Sequence, residues 1–560
     1  MTDSPARPYG QSKPRLALGL AIAAMLAACG GSEEAPRASA PARPFQGAVI
    51  ADEPRAALIG RDILIGGGSA ADAAVATYFA MAVTQPSVAT LGGGGVCTVY
   101  DGATNRAEVI DFVARAPRSR GIAAVPGNAR GMYALSAKYG RLRWEQLLAP
   151  AEGLARFGVP VSRAFAQDIA LGWGALLQDP VAFRIFGKPP ADFAQRVARA
   201  ARDRREAEAL RAAFRPLGEG DELVQTDLAN FISLLRRNGG MDLHDGEAAQ
   251  LYAAATTRAQ APLTPADLAG VLPQFEAALA VSAEDLTLFA PPPPAAAGVM
   301  TAQIIALLGP QWRETPAAQR PNLLAQATLL AKWDRERWQR ADGTSGVPPV
   351  QLVAGPRIAE LQALLRPAGR IAPQSLTPTV RPRPLNPGMA KIVAVDRTGN
   401  VVTCGMTANG LFGLARIAPE TGVVIAAASN ANDNGTQWLS PIVVARRGGP
   451  ALLGAVSSGG DVVPGVLAGA LLTMVGERRP LSEVVAEPRM HFELGTNRMS
   501  VEQGGAALAG VLQGAGYTVA MVPQFGKISG FFCPSGAVGQ AGRCEFVSDP
   551  RESGMAISAD

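Results

Sequence analysis

The sequence predicts an α+β protein with ample core, and three observations carry that prediction. Alanine-rich stretches of helical length alternate with short runs of β-branched residues. Of the 560 residues, 48% are hydrophobic and 18% charged, enough apolar surface for a sizeable interior. A proline-rich connector runs straight into an apolar hairpin that opens near Met389. The 52 basic and 47 acidic residues leave a net charge of +5, dispersed along the chain. So mild a balance gives no nucleic-acid footprint.

The hairpin is the clearest local signal. Ile392–Val395 and Val401–Thr403 are apolar runs on either side of Asp396-Arg397-Thr398-Gly399-Asn400. Gly and Asn supply the backbone angles that a tight turn needs. The connector before it, Thr377 to Pro387, is too rich in proline to be a central strand or a helix interior.

The front end reads as a targeting segment. Lys13 and Arg15 precede an apolar run, Leu16 to Ala28, too short to span a bilayer as a mature helix. Leu26-Ala27-Ala28-Cys29-Gly30 matches the bacterial lipobox, which makes Cys29 the lipidated first residue of the mature chain. The plainer alternative is an ordinary signal peptide with an incidental cysteine. Residues 30–45 read as a flexible tether. Cys533 and Cys544 flank a Gly-rich stretch and are expected to form a small disulfide loop in an exported protein, the alternative being two free thiols. Cys97 and Cys404 sit in apolar, strand-like runs and are expected to be buried small hydrophobes. His244 and His491 are the two histidines, and neither has a partner at ligand spacing, so no metal is expected. No cofactor is expected either.

The other elements follow in order. A helix is predicted from Ala70 to Val83, stopped by Pro86, then a turn at Gly92–Gly95 and a strand at Val96–Tyr100. Further helices are predicted at Thr301–Leu308, Leu323–Trp338 and Val463–Val475. The Arg- and Ala-rich stretch Gln195 to Arg215 reads as a solvated helix.

The blocks around these elements resemble the γ-glutamyltransferases, also called γ-glutamyl transpeptidases, of the N-terminal-nucleophile hydrolase superfamily. The resembling blocks run from about Pro44 to Ile557, including Gly92–Gly95, Asp111-Phe112 with Ala116-Pro117, Asp334-Arg335 and Ser457-Ser458-Gly459-Gly460. The resemblance implies a four-layer αββα sandwich spanning residues 46–557. Its large-subunit-like part would cover 46–388 and its small-subunit-like part 389–557. In that family the precursor cuts itself before a Thr that opens a T-T-H-x-S-V-V-D hairpin, and this Thr is the nucleophile. The matching run here is Met389-Ala390-Lys391-Ile392-Val393-Ala394-Val395-Asp396. A thioether has no proton to lose and cannot attack an amide.

Other implied site residues are kept or lost. Thr407 and Asn409 stand where the family hydrogen-bonds the nucleophile and touches the substrate. Gly459 and Gly460 stand where backbone N–H groups form an oxyanion hole. Ser440 survives from a serine motif whose Ser pair becomes Gln437-Trp438. The Arg that clamps the substrate carboxylate becomes Val113. Arg115, two residues on, would share its face on a strand and is a candidate replacement, though a surface arginine is the ordinary reading. The acidic clamp for the substrate ammonium is missing, with Asp433 out of register.

The resemblance therefore implies a γ-glutamyltransferase-like lipoprotein that is not self-processed and is catalytically impaired. It would bind a small molecule or protein in the former cleft, anchored through Cys29 at the periplasmic face of the outer membrane. One alternative is an active amide hydrolase or transferase with a new substrate. It would use Thr403 or Thr407 as nucleophile, with Lys391 as a base of burial-lowered pKa; the ordinary reading of Lys391 is an exposed or edge-strand lysine. Another alternative is a structural envelope lipoprotein.

Overall fold

The computed structural model describes residues 45–377, 388–428, 435–493, 498–537 and 544–560. Thirteen strands build the two main sheets. They are β1 Gly47–Ala51, β2 Gly94–Asp101, β3 Arg106–Phe112, β4 Gln274–Ala277, β5 Leu279–Ala283, β6 Leu286–Ala290, β7 Met389–Asp396, β8 Val401–Thr407, β9 Ile442–Arg446, β10 Ala451–Ser458, β11 Lys527–Phe532, β12 Glu545–Val547 and β13 Met555–Ala559. Among the described residues, one sheet runs β13-β1-β7-β8-β2-β3-β4 and the other β12-β11-β10-β9-β6-β5, both wholly antiparallel.

The helices that bear on the site are α1 Pro54–Ile65, α2 Ala70–Thr84, α3 Asn128–Tyr139, α4 Trp144–Phe157, α5 Arg163–Leu176, α6 Phe193–Ala200, α7 Arg204–Ala212, α8 Ala296–Leu308, α9 Arg320–Trp338 and α10 Val463–Glu477. Helices α1, α2 and α3 cover the seven-stranded sheet, α8 and α10 cover the six-stranded one, and the sheets face each other through β7, β8 and β10. This is the four-layer αββα sandwich, with the hairpin β7–β8 at its centre.

Strand alternation explains the layering. On β7, Ile392 and Ala394 join the core under the helices, while Val393 and Val395 join the core between the sheets with Val443, Val456 and Phe531. Helix α2 lies in the middle of the first core and is buried along its whole length. Its polar start is satisfied by a capping box in which Ser69 and Asp72 bond reciprocally. The Asp396 carboxylate ties the hairpin turn together, accepting from Thr398 N at 2.9 Å, Asn400 Nδ2 at 2.9 Å and Ala70 N at 3.2 Å. Gly399 takes a positive φ of 81°, which the turn demands.

Several expectations need correction. Cys97 and Cys404 are bonded to each other, S–S 2.00 Å, rather than being separate hydrophobes. They are directly opposed across the β8–β2 ladder, a proximity hidden in sequence by a separation of 307 residues. The strands of the hairpin extend to Met389 and Thr407, beyond the apolar runs that announced them. The Arg-rich stretch is two short helices, α6 and α7, because the Arg202-Asp203 break lets Asp203 cap a new start. Cys533 pairs with Cys544, S–S 2.06 Å. The proline-rich connector after Thr377 lies outside the described residues, as do Asp433 and Cys29.

Candidate active site

Strands β7 and β8 place the site. Register pairs Met389 with Thr407, Ala390 with Met406 and Lys391 with Gly405. Odd-numbered β7 residues face the second sheet, so Met389 and Lys391 point to the same side. Met389 is only 3% exposed and belongs to an apolar cluster that also holds Val96, Val113, Trp338, Trp438 and Leu439. Three positions singled out in the sequence, 113, 389 and 438, thus belong to the same large apolar cluster.

Thr407 is buried, and its hydroxyl donates to the Gly388 carbonyl at 2.6 Å while accepting the Asn409 N–H at 3.0 Å. It holds the peptide that joins residue 388 to Met389. Gly388 itself has no room for a side chain: a Cβ there would lie 2.5 Å from the Gly410 carbonyl carbon. Asn409 is also committed, donating from Nδ2 to Ala427 O at 2.9 Å and accepting from Thr436 Oγ1 at 3.2 Å. Thr403 is sealed between the sheets, its hydroxyl 3.4 Å from Thr98 O.

Gly459 and Gly460 follow β10 in a turn with φ of 132° and 74°, angles that favour glycine. A Cβ on Gly459 would come within 2.9 Å of Gly526 Cα. The next residue, Asp461, is buried against Lys332 at 2.6 Å, with His491 Nε2 3.7 Å away. Burial, helped by the Lys332 charge, pushes the His491 imidazole down to about 3, so it is neutral. Gln437 and Ser440 are buried, with side-chain atoms that find no hydrogen-bond partner among the described residues. Arg335 is also buried; its guanidinium stacks on Trp438 at 5.3 Å and pairs with Glu336 at 2.8 Å.

Lys391 departs most from expectation. It is 1% exposed on a central strand. Its Nζ reaches Asp52 at 2.8 Å, Glu552 at 2.7 Å and donates to Ser458 Oγ at 3.1 Å. Burial alone would lower its pKa, but the attraction of Asp52 and Glu552 outweighs that and holds it above the ordinary lysine value. A lysine so held is a fixed cation and no base, which corrects both the edge-strand reading and the general-base reading. One ammonium ties the end of β1, the segment before β13 and the residue preceding Gly459. Asp52 lies 339 residues from Lys391 in sequence, so no local pattern exposes the network. The only available signal was a lysine inside an apolar strand.

Arg115 pairs with the buried Asp111 at 2.7 Å, and its backbone is bridged to Val125. It is half-buried at a cavity of about 240 Å³ whose wall also includes Val113, Ala114, Ala116, Asp342 and Thr436. Among the described residues, no group of three or more His, Cys, Asp or Glu side chains could hold a metal ion.

A family model described as gamma-glutamyltranspeptidase matches residues 56–559. The chain belongs to the gamma-glutamyltranspeptidase family. Among curated relatives, the glutathione hydrolase proenzyme of Escherichia coli (strain K12) is 25% identical over 96% of this chain and 98% of its own. That of Pseudomonas aeruginosa is 26% identical over 84% of this chain and 88% of its own. The acylase ACY 1 proenzyme of Pseudomonas sp. (strain SE83) is 27% identical over 69% of each chain. Among solved structures, the cephalosporin acylase from Bacillus halodurans superposes with a TM-score of 0.76 at 19% identity, covering 93% of this chain and 98% of that one. That likeness shows the fold: the N-terminal-nucleophile hydrolase sandwich of this family.

Proposed function

We propose that this gamma-glutamyltranspeptidase-family chain is a lipid-anchored envelope protein that stays uncut and does not transfer glutamyl groups. Its remaining task is binding, at the cavity beside Arg115. The observation that carries the reading is Met389, a buried thioether at the first position of β7, packed in one cluster with Val113 and Trp438. An oxyanion-type turn without a nucleophile offers no covalent path. A bidentate arginine clamp is not replaced by valine. Arg115, steadied by Asp111, supplies one fixed cation to a cavity otherwise walled largely by small apolar groups. Anchoring at the periplasmic face of the outer membrane is argued from Leu26–Gly30. Two disulfides fit an oxidising compartment.

A second reading, an amide hydrolase of altered substrate, draws on the apolar cavity wall and on Thr407. The test is turnover of glutathione, γ-glutamyl-p-nitroanilide, β-lactams and simple acyl amides. Background rates on all of them are expected. Turnover that Thr407→Ala abolishes, in a protein that keeps its melting temperature, would replace the first reading by the second.

A further inference from the structure

We infer that the helical hairpin α6–α7 is a membrane-facing surface that docks on anionic lipid headgroups. Residues Phe193 to Arg215 carry seven arginines against three carboxylates. Arg196 pairs with Asp192 at 3.9 Å and Arg204 with Glu208 at 2.9 Å. Among the described residues, Arg199, Arg202, Arg205, Arg211 and Arg215 take part in no ion pair. The two helices are eight and nine residues long, short enough to be marginal in water on their own. Yet α6 buries no residue and α7 buries only Leu210, which sits in a small cluster with Phe183 and Phe214, outside the main cores. An apolar group is open beside the arginines: Val197 on α6 is 45% exposed. Unpaired guanidiniums with an exposed apolar side chain among them are what the headgroup region of an anionic bilayer takes.

The setting makes such docking accessible. This inference rests on the lipid-anchor reading for its physiological context. The fifteen residues from Gly30 to Pro44 could reach at most about 50 Å. The folded unit Phe45–Asp560 has an expected radius of gyration of about 24 Å, so an anchored molecule can turn most faces to its membrane.

The experiment uses the mature chain with Cys29→Ala, which cannot be acylated, so that docking is separated from anchoring. Co-sedimentation is measured with vesicles of phosphatidylcholine alone and with 30% phosphatidylglycerol, at low and high salt. The inference predicts binding to the anionic vesicles only, weakened by salt. The triple variant Arg199→Glu, Arg202→Glu, Arg205→Glu is expected to bind at least tenfold more weakly with an unchanged melting temperature. Val197→Ser, which leaves all charges in place, is expected to weaken binding by a smaller factor. Equal binding to both vesicle types, no binding to either, or a triple variant that binds like the parent overturns the docking inference. The acylation state of the native chain, read by mass, stands or falls separately.

Discussion

Met389 holds a side chain that can only pack, and Lys391, two residues along the same face, holds a charge that can only pair. Replacing Met389 by Thr removes buried apolar volume and is expected to cost about 2 kcal/mol in urea unfolding. Glutathione hydrolysis should stay at background in that variant, because Val113 and the buried Trp438 remain; measurable turnover would show that the thioether alone silences the site. Lys391→Met strands Asp52 and Glu552 in the interior without their cation. Breaking a buried pair from one side costs about 3–5 kcal/mol, so a lowered denaturation midpoint is expected. Asp52 also sets a pH dependence. Burial, opposed by Lys391, pushes its carboxyl up to about 6, well above the ordinary carboxylate value. The folded state therefore holds this proton more tightly than the unfolded state. Stability from this group falls as pH rises from about 4 to about 6, at no more than about 1.4 kcal/mol per unit, and is flat above. Unfolding at stepped pH should show that decline in the parent and lose it in Asp52→Asn.

The hairpin β7–β8 and its neighbour β2 show what sequence could and could not give at the scale of elements. The turn Asp396–Asn400 was legible because β-branched runs on both sides leave it no other conformation. The helix from Ala70 was legible nearly from end to end, since its alanine-rich run is stopped by Pro86, and the structure carries it to Thr84. Long-range partners were not. The Cys97–Cys404 bond and the Lys391 pairs join residues hundreds of positions apart, and only sheet register brings them together. That disulfide links strands on either side of the junction before Met389. In the chain-entropy picture a loop of 307 residues stabilises by about 5–6 kcal/mol. Both its cysteines are fully buried, whereas Cys544 is partly exposed. Under native conditions reductant should open Cys533–Cys544 first and leave Cys97–Cys404 closed until the protein unfolds. Thiol alkylation with peptide mapping reads the order, and simultaneous opening would mean that the central sheet breathes far more than its burial implies.

Across the whole molecule, two antiparallel sheets lie between helices, and the hairpin at their centre carries a buried thioether and a buried lysine cation. Gly459 and Gly460 turn the chain after β10, and the Thr407 hydroxyl donates to the carbonyl of Gly388, the residue before Met389. Because Cys97 and Cys404 would hold two fragments together after a cut, mass must be read after reduction. The deciding measurement is the intact mass of the mature protein from its native host, reduced and denatured. A single chain, beginning at an acylated Cys29 and continuous through Gly388 and Met389, is predicted. Two chains, the smaller beginning at Met389, would contradict the account.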